Sequence, residues 1–229
     1  MTVDLPLLLF GLLLLWFPRQ WMRLGKTIGS RRRKTPLIPG IDDPSNQRES
    51  GDPRISFSRE FSKIRNYFDL LRGGVGSLAI MGGMDIFPSI APAPGDNALP
   101  LWGVETIKLA ILFLGLAIQA TRYERHHVTF FAPIFYLGGL SLSLCTTWGA
   151  FLSFTLIWAL NPMINGAKSF LLMYAVVMTS FALFFRDWDA EASISAFMLC
   201  FLPVLLSLLA RRPLVVFSRK GTRSARERA

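Results

Sequence analysis

Asp85, Glu105 and Lys108 are ionisable residues inside or at the edge of strongly apolar runs, so the question of chemistry starts with them. A carboxylate or ammonium within lipid is costly and is by default a functional hypothesis. Glu105 and Lys108 stand three positions apart, a spacing that brings side chains together on a helix and favours a structural ion pair. Asp85 is followed by the proline-rich run Pro88, Pro92 and Pro94, which suits a membrane interface. Together the three form a possible polar site, to which Asn161 and Asn165 could add amides.

The remaining reactive side chains offer less. Asp187, Asp189 and Glu191 make an acidic loop, but nothing in it supplies the six to eight oxygens of a calcium site. His126 and His127 are adjacent and therefore point about 100° apart on a helix, so they cannot be the two axial ligands of one haem. Cys145 and Cys200 lie in apolar stretches without C-x-x-C spacing and read as small buried hydrophobes, with neither a redox nor a structural-metal role expected. G-x-S-x-G, H-E-x-x-H, Walker and G-x-G-x-x-G patterns are absent. No lysine sits within the last two apolar runs beyond Lys168 at a helix start, so a retinal Schiff base of the rhodopsin kind has no attachment point. No cofactor is expected.

The elements that must position these residues are apolar segments. The 229 residues are 52% hydrophobic and 17% charged with a mean hydropathy of +0.40, which excludes an ordinary soluble domain. Apolar runs cover about residues 3–22, 73–91, 101–121, 128–146, 147–162, 168–185 and 192–210. A helix needs roughly 20 residues to cross about 30 Å of hydrocarbon, and Trp16, Trp21, Trp102, Trp148 and Trp188 stand at segment ends, where interfacial aromatics belong. The fold class is therefore all-α: a polytopic transmembrane helical bundle of seven spans, with five as the alternative if 73–91 does not span and 128–160 is one helix.

Charge sets the orientation. The first segment lacks a basic n-region and a small-residue cleavage site, and Arg19, Arg23, Lys26 and Arg31–Lys34 follow it, so it reads as an uncleaved anchor with a cytoplasmic flank. With seven spans, only Lys108 and Arg186 of the 25 Lys and Arg fall outside, whereas Asp4, Asp85, Asp96, Glu105, Asp187, Asp189 and Glu191 all do. The N-terminus is expected outside and the C-terminus in the cytoplasm, in a bacterial cytoplasmic membrane. The net charge of +10 is then explained by topology, and nucleic acid is not an expected partner.

Five regions follow: an anchor (1–24), a flexible basic linker rich in Pro and Gly (25–54), an amphipathic helix (55–72), the transmembrane bundle (73–210) and a basic tail (211–229). In the amphipathic stretch Phe57, Phe61, Ile64, Phe68 and Leu71 recur at helical spacing on one face, with Arg59, Lys63 and Arg65 elsewhere. A basic amphipathic helix of this kind can lie in the cytoplasmic interface against anionic lipid headgroups. Gly73, Gly74, Gly76, Gly82 and Gly83 then supply the small residues that let helices approach closely in lipid. The expected function is a non-catalytic integral membrane subunit, or membrane-organising protein, that packs against other membrane protein subunits. A transporter or channel component is the first alternative and a lipid-modifying membrane enzyme the second.

Overall fold

The computed structural model describes residues 4–18, 55, 57–85, 101–124, 127–212 and 214–215; the 25–54 linker, Asp96 and the tail from 216 onward lie outside the described residues. The architecture is a helical bundle with one small sheet at one end.

Helix α1 (Leu5–Trp16) starts where the Asp4 carboxylate accepts the Leu7 N–H at 3.1 Å, the usual role of an N-cap acid. It stops because Phe17 precedes Pro18, which disfavours helical geometry and leaves Phe17 extended. A short helix α2 (Phe57–Phe61) leads through a break at Ser62–Lys63 into α3 (Ile64–Asp85). The break has a local cause: the Asn66 amide donates to both the Glu60 carbonyl and the Glu60 carboxylate at 2.8 Å, an alternative to helical bonding that Asn offers readily.

Helix α4 (Leu101–Ala120) runs directly into a hairpin of β1 (Thr121–Glu124) and β2 (His127–Phe131), with Thr121 opposite Phe130 and Glu124 opposite His127. Pro133 separates β2 from α5 (Ile134–Leu144), and a turn at Cys145–Thr146 leads to α6 (Thr147–Leu160). A 3₁₀ turn (Asn161–Met163) and Gly166, at φ 89°, lead into α7 (Gly166–Phe185). Asp189 then caps α8 (Ala190–Leu209) by accepting from the Glu191 and Ala192 N–H groups at 3.0 and 3.2 Å. A two-residue strand, β3 (Leu214–Val215), adds in parallel to β2.

Successive helices alternate in direction. The Asp4 backbone N–H donates to the Gly83 carbonyl while Leu14 and Leu15 meet Gly76, so α1 and α3 are antiparallel. Helix α5 lies parallel to α3, with Gly138 and Gly139 against Leu70, and Leu142 against Gly74. Helices α5 and α6 fold back on one another, Gly138 meeting Phe154 while Phe135 meets Trp158. Gly149 meets Phe185 and Trp158 meets Phe170, which sets α7 antiparallel to α6. Helices α4 and α8 both finish at the sheet.

Among the described residues, three stretches are long and apolar enough to cross a membrane: Gly103–Ala120 within α4, then α7 and α8. Helices α1 and α5 are apolar but shorter. Large hydrophobic side chains are exposed along most helices, among them Leu9, Phe10, Leu13, Leu114, Phe151, Val176 and Ile194, as a lipid-facing surface requires.

Three expectations are corrected. The fourth apolar run does not begin as helix at 128: His127–Phe131 is a strand, because Val, Thr and Phe side chains favour extended backbone and Pro133 bars the helix from starting earlier. Residues 128–160 are not one helix, as the five-span alternative required, since Cys145 is extended and Thr146 caps a new helix by accepting the Gly149 N–H. Finally, the amphipathic stretch and the glycine-rich run are not separate helices, for α3 passes from 64 to 85 without a break.

Candidate functional site

The densest buried polar group lies at the sheet end of the bundle. A helix leaves its last carbonyls without intrahelical partners, and those of α1 finish inside protein. Arg72 of α3 donates from Nη1 to the Phe17 carbonyl at 2.6 Å and from Nη2 to Gln119 Oε1 at 2.6 Å. Gln119 of α4 donates in turn to the Leu15 and Phe17 carbonyls, both at 3.0 Å. Tyr136 of α5 adds its hydroxyl to the Leu15 carbonyl at 3.2 Å, and the guanidinium carbon sits 5.4 Å from the centre of its ring. Asp69, one turn before Arg72, supplies the counter-charge at 2.8 Å.

Arg72 is 8% exposed, so this is an ion pair inside the protein. Its chemistry is that of a clamp. A cation at a helix C-terminus is favoured by the macrodipole, and both guanidinium Nη groups are already engaged.

At the opposite end, Lys108 donates to Glu105 Oε1 at 2.9 Å; Lys108 is 1% exposed and the Glu105 side chain 44%. The ammonium thus lies inside and its carboxylate partner reaches outward. Asp85 closes α3 near the same end, where Gly83 meets α1, and its side chain lies outside the described residues. Asn161 is at the sheet end, donating to the Ile55 carbonyl at 2.6 Å, and Asn165 precedes α7 there. The structure therefore brings Glu105 and Lys108 together but separates them from both asparagines by the length of the bundle.

The residues read as membrane-facing divide into two sets. Phe57 and Phe61 stack at 4.2 Å, and Phe61 packs into an aromatic cluster with Trp158 at 5.0 Å and Phe135 at 5.1 Å. Ile64, Phe68 and Leu71 are exposed, and their row continues through Val75 and Leu78 along the outer side of α3. Lys63 pairs with Glu60, Arg65 is exposed, and the Arg59 side chain lies outside the described residues. The face of α3 opposite the apolar row carries Asn66, Asp69, Arg72 and Ser77, all buried.

The glycines act at short range. A Cβ on Gly73 would stand 2.6 Å from the Tyr136 carbonyl oxygen, one on Gly74 2.8 Å from Leu142, one on Gly76 2.9 Å from Leu15, and one on Gly83 3.2 Å from the Leu8 nitrogen. Gly82 has room, its nearest neighbour being 3.7 Å away. Helix α3 is thus held between α1 and α5.

Sequence reading missed the clamp and the other half of the glycine contact. Asp69 and Arg72 have the same three-residue spacing as Glu105 and Lys108, and Gly138–Gly139 repeats the doublet Gly73–Gly74, so both signals were present. Among the described residues no group of three or more His, Cys, Asp or Glu could hold a metal ion. The chain matches no protein-family model, no curated protein and no solved structure.

Proposed function

We propose that this chain is a non-catalytic integral membrane subunit, seven-pass with its N-terminus outside and its C-terminus in the cytoplasm of a bacterial cell, which packs against other membrane protein subunits. The observation that carries the reading is the separation of its buried polar groups. A solute path has to gather costly polar side chains around one route. Here Glu105 and Lys108 are at one end and Asn161 and Asn165 at the other, while Arg72 and Gln119 are engaged in capping α1 and Asp69 pairs with Arg72. Polar groups employed this way stabilise an assembly rather than move a substrate.

Alternating helix direction supports the seven-pass topology, and the ends match the charge pattern. Among the described residues the sheet end holds Lys63, Arg65, Arg72, Arg122, Lys168, Arg211 and Arg212 against Glu60, Asp69 and Glu124, and the other end Asp4, Asp85, Glu105, Asp187, Asp189 and Glu191 against Lys108 and Arg186. Most residues of the short α5 are buried, and irregular backbone at membrane depth is tolerated where protein surrounds it. At the sheet end the exposed Phe57, Ile64 and Phe68 beside Lys63 and Arg65 support contact with anionic headgroups at the cytoplasmic interface.

Purification in a mild detergent, with identification of co-purifying chains, tests the subunit reading. Stable recovery within a larger complex is the expected result. A monodisperse, partner-free protein in which Asp85→Asn abolishes uptake of a solute would overturn it in favour of the transporter.

A further inference from the structure

Trp158 and Asn161 each bury one polar atom that no group among the described residues satisfies: the indole Nε1 of Trp158 and the side-chain Oδ1 of Asn161. Trp158 is 5% exposed and Asn161 6%. A buried polar group without a partner is expensive, and in a native fold each one calls for a cause. Here one atom is a donor and the other an acceptor.

The local backbone turns both side chains to one side. The Asn161 N–H donates to the Trp158 carbonyl, a bond of the 3₁₀ kind at the end of α6, and side chains three positions apart eclipse in that geometry. One segment covers them both. Phe57 and Phe61 of α2 pack against the Trp158 ring with centres 5.6 and 5.0 Å away, and the Asn161 amide nitrogen donates at 2.6 Å to the carbonyl of Ile55, two residues before Phe57. That nitrogen is engaged with the covering segment, so the Asn161 oxygen is what remains for a further partner.

The surroundings limit what the partner can be. The remaining ring contacts of Trp158 are with Phe135, Phe154 and Phe170, at 5.7, 6.3 and 5.2 Å. An ion among such rings would carry a large desolvation cost, so the partner is neutral. The covering rings are in contact with one another, Phe57 with Phe61 at 4.2 Å and Phe61 with Phe135 at 5.1 Å, so it is also small. It must accept one hydrogen bond and donate one.

We propose that Trp158 Nε1 and Asn161 Oδ1 bind one enclosed water molecule, which accepts from the indole N–H and donates to the amide oxygen. A buried water makes roughly two to four hydrogen bonds, so these two partners meet the minimum. With the water in place, the 55–61 segment closes over the end of α6 without leaving either polar atom unpaired. This inference does not depend on the subunit reading.

The test is nuclear magnetic resonance of the full-length, isotopically labelled protein in detergent, reading cross-relaxation between water and the Trp158 indole proton. Trp158→Phe assigns that proton, and the indole of Trp188, 77% exposed, supplies the bulk-solvent reference. The wild type should give a water cross-peak at Trp158 with the sign of a long-lived bound molecule. Asn161→Leu removes the acceptor and should abolish it. The wild-type spectrum decides the first point alone, so a variant that fails to fold does not leave the proposal open. No water cross-peak at the Trp158 indole, a peak with the exchange signature of Trp188, or a peak to detergent protons in place of water would each overturn the proposal. A cross-peak undiminished in Asn161→Leu would overturn it too, because the water would then not be shared.

Discussion

Arg72 and Phe17 are joined by a 2.6 Å hydrogen bond across 55 positions of sequence, from a guanidinium in the middle of one buried helix face to the carbonyl that ends another helix. This bond, with those of Gln119 and Tyr136, fixes the first helix to the rest of the bundle by its C-terminal end, where the chain turns away at Pro18.

Removing one partner from this pair should cost far more than removing both. Arg72→Met leaves the Asp69 carboxylate buried without the guanidinium, although Gln119 still caps the Leu15 and Phe17 carbonyls, and breaking a buried pair costs about 3–5 kcal/mol. Asp69→Asn in the same chain removes the stranded charge and should restore a large part of the loss. Thermal unfolding of the two single variants and the double variant in detergent measures the coupling. Strict additivity of the two changes would show that the residues do not act as a pair.

Glycines of α3 and α5 should respond to alanine according to what surrounds them. A Cβ on Gly139 would stand 2.2 Å from the Leu70 carbonyl oxygen and 2.6 Å from the Gly74 nitrogen, both backbone atoms that cannot move without separating the helices. Gly139→Ala should therefore destabilise by at least the 1–3 kcal/mol typical of overpacking, about 3 kcal/mol here. Gly82→Ala meets nothing closer than 3.7 Å and should gain up to about 1 kcal/mol from helix propensity. Equal effects at the two positions would remove close packing as the reason for the glycines.

Much of the bundle was legible because lipid imposes long apolar runs, and the expected segments at 101–121, 168–185 and 192–210 coincide closely with α4, α7 and α8. The hairpin was not, since Val128, Thr129, Phe130 and Phe131 are as apolar as a helix start and only Pro133 marks the change. Periodicity also predicted one face for Phe57, Phe61, Ile64, Phe68 and Leu71, but the Asn66 hydrogen bonds to Glu60 interrupt the helix. The clamp escaped for another reason: hydropathy identifies the polar side of α3, yet a periodic pattern does not say whether that side faces water or other helices. Only the tertiary structure turns Asp69 and Arg72 inward.

The division of the amphipathic stretch gives its own test. Phe61→Ala removes a ring packed against Trp158 and Phe135 and should cost about 2 kcal/mol, below the 3–5 of a fully buried phenylalanine. Phe68→Ala, on the outer side of α3, should change stability by no more than about 0.5 kcal/mol. Thermal midpoints in detergent compare them, and a similar loss at both positions would return the two rings to one face.

The two ends of the bundle should label from opposite sides of the membrane. Trp188, in the α7–α8 turn, and Met163, in the α6–α7 turn, are both highly exposed, and a full α7 of 20 residues, about 30 Å at 1.5 Å per residue, separates them. Neither native cysteine is accessible, since Cys145 and Cys200 are buried, so single Trp188→Cys and Met163→Cys variants report on their own positions. With the basic sheet end in the cytoplasm, an impermeant maleimide added to intact cells should label the cysteine at 188 and reach the one at 163 only after permeabilisation. The reverse pattern would invert the whole topology. Labelling of both from outside would mean that α7 does not cross the membrane, and the seven-pass arrangement would fall with it.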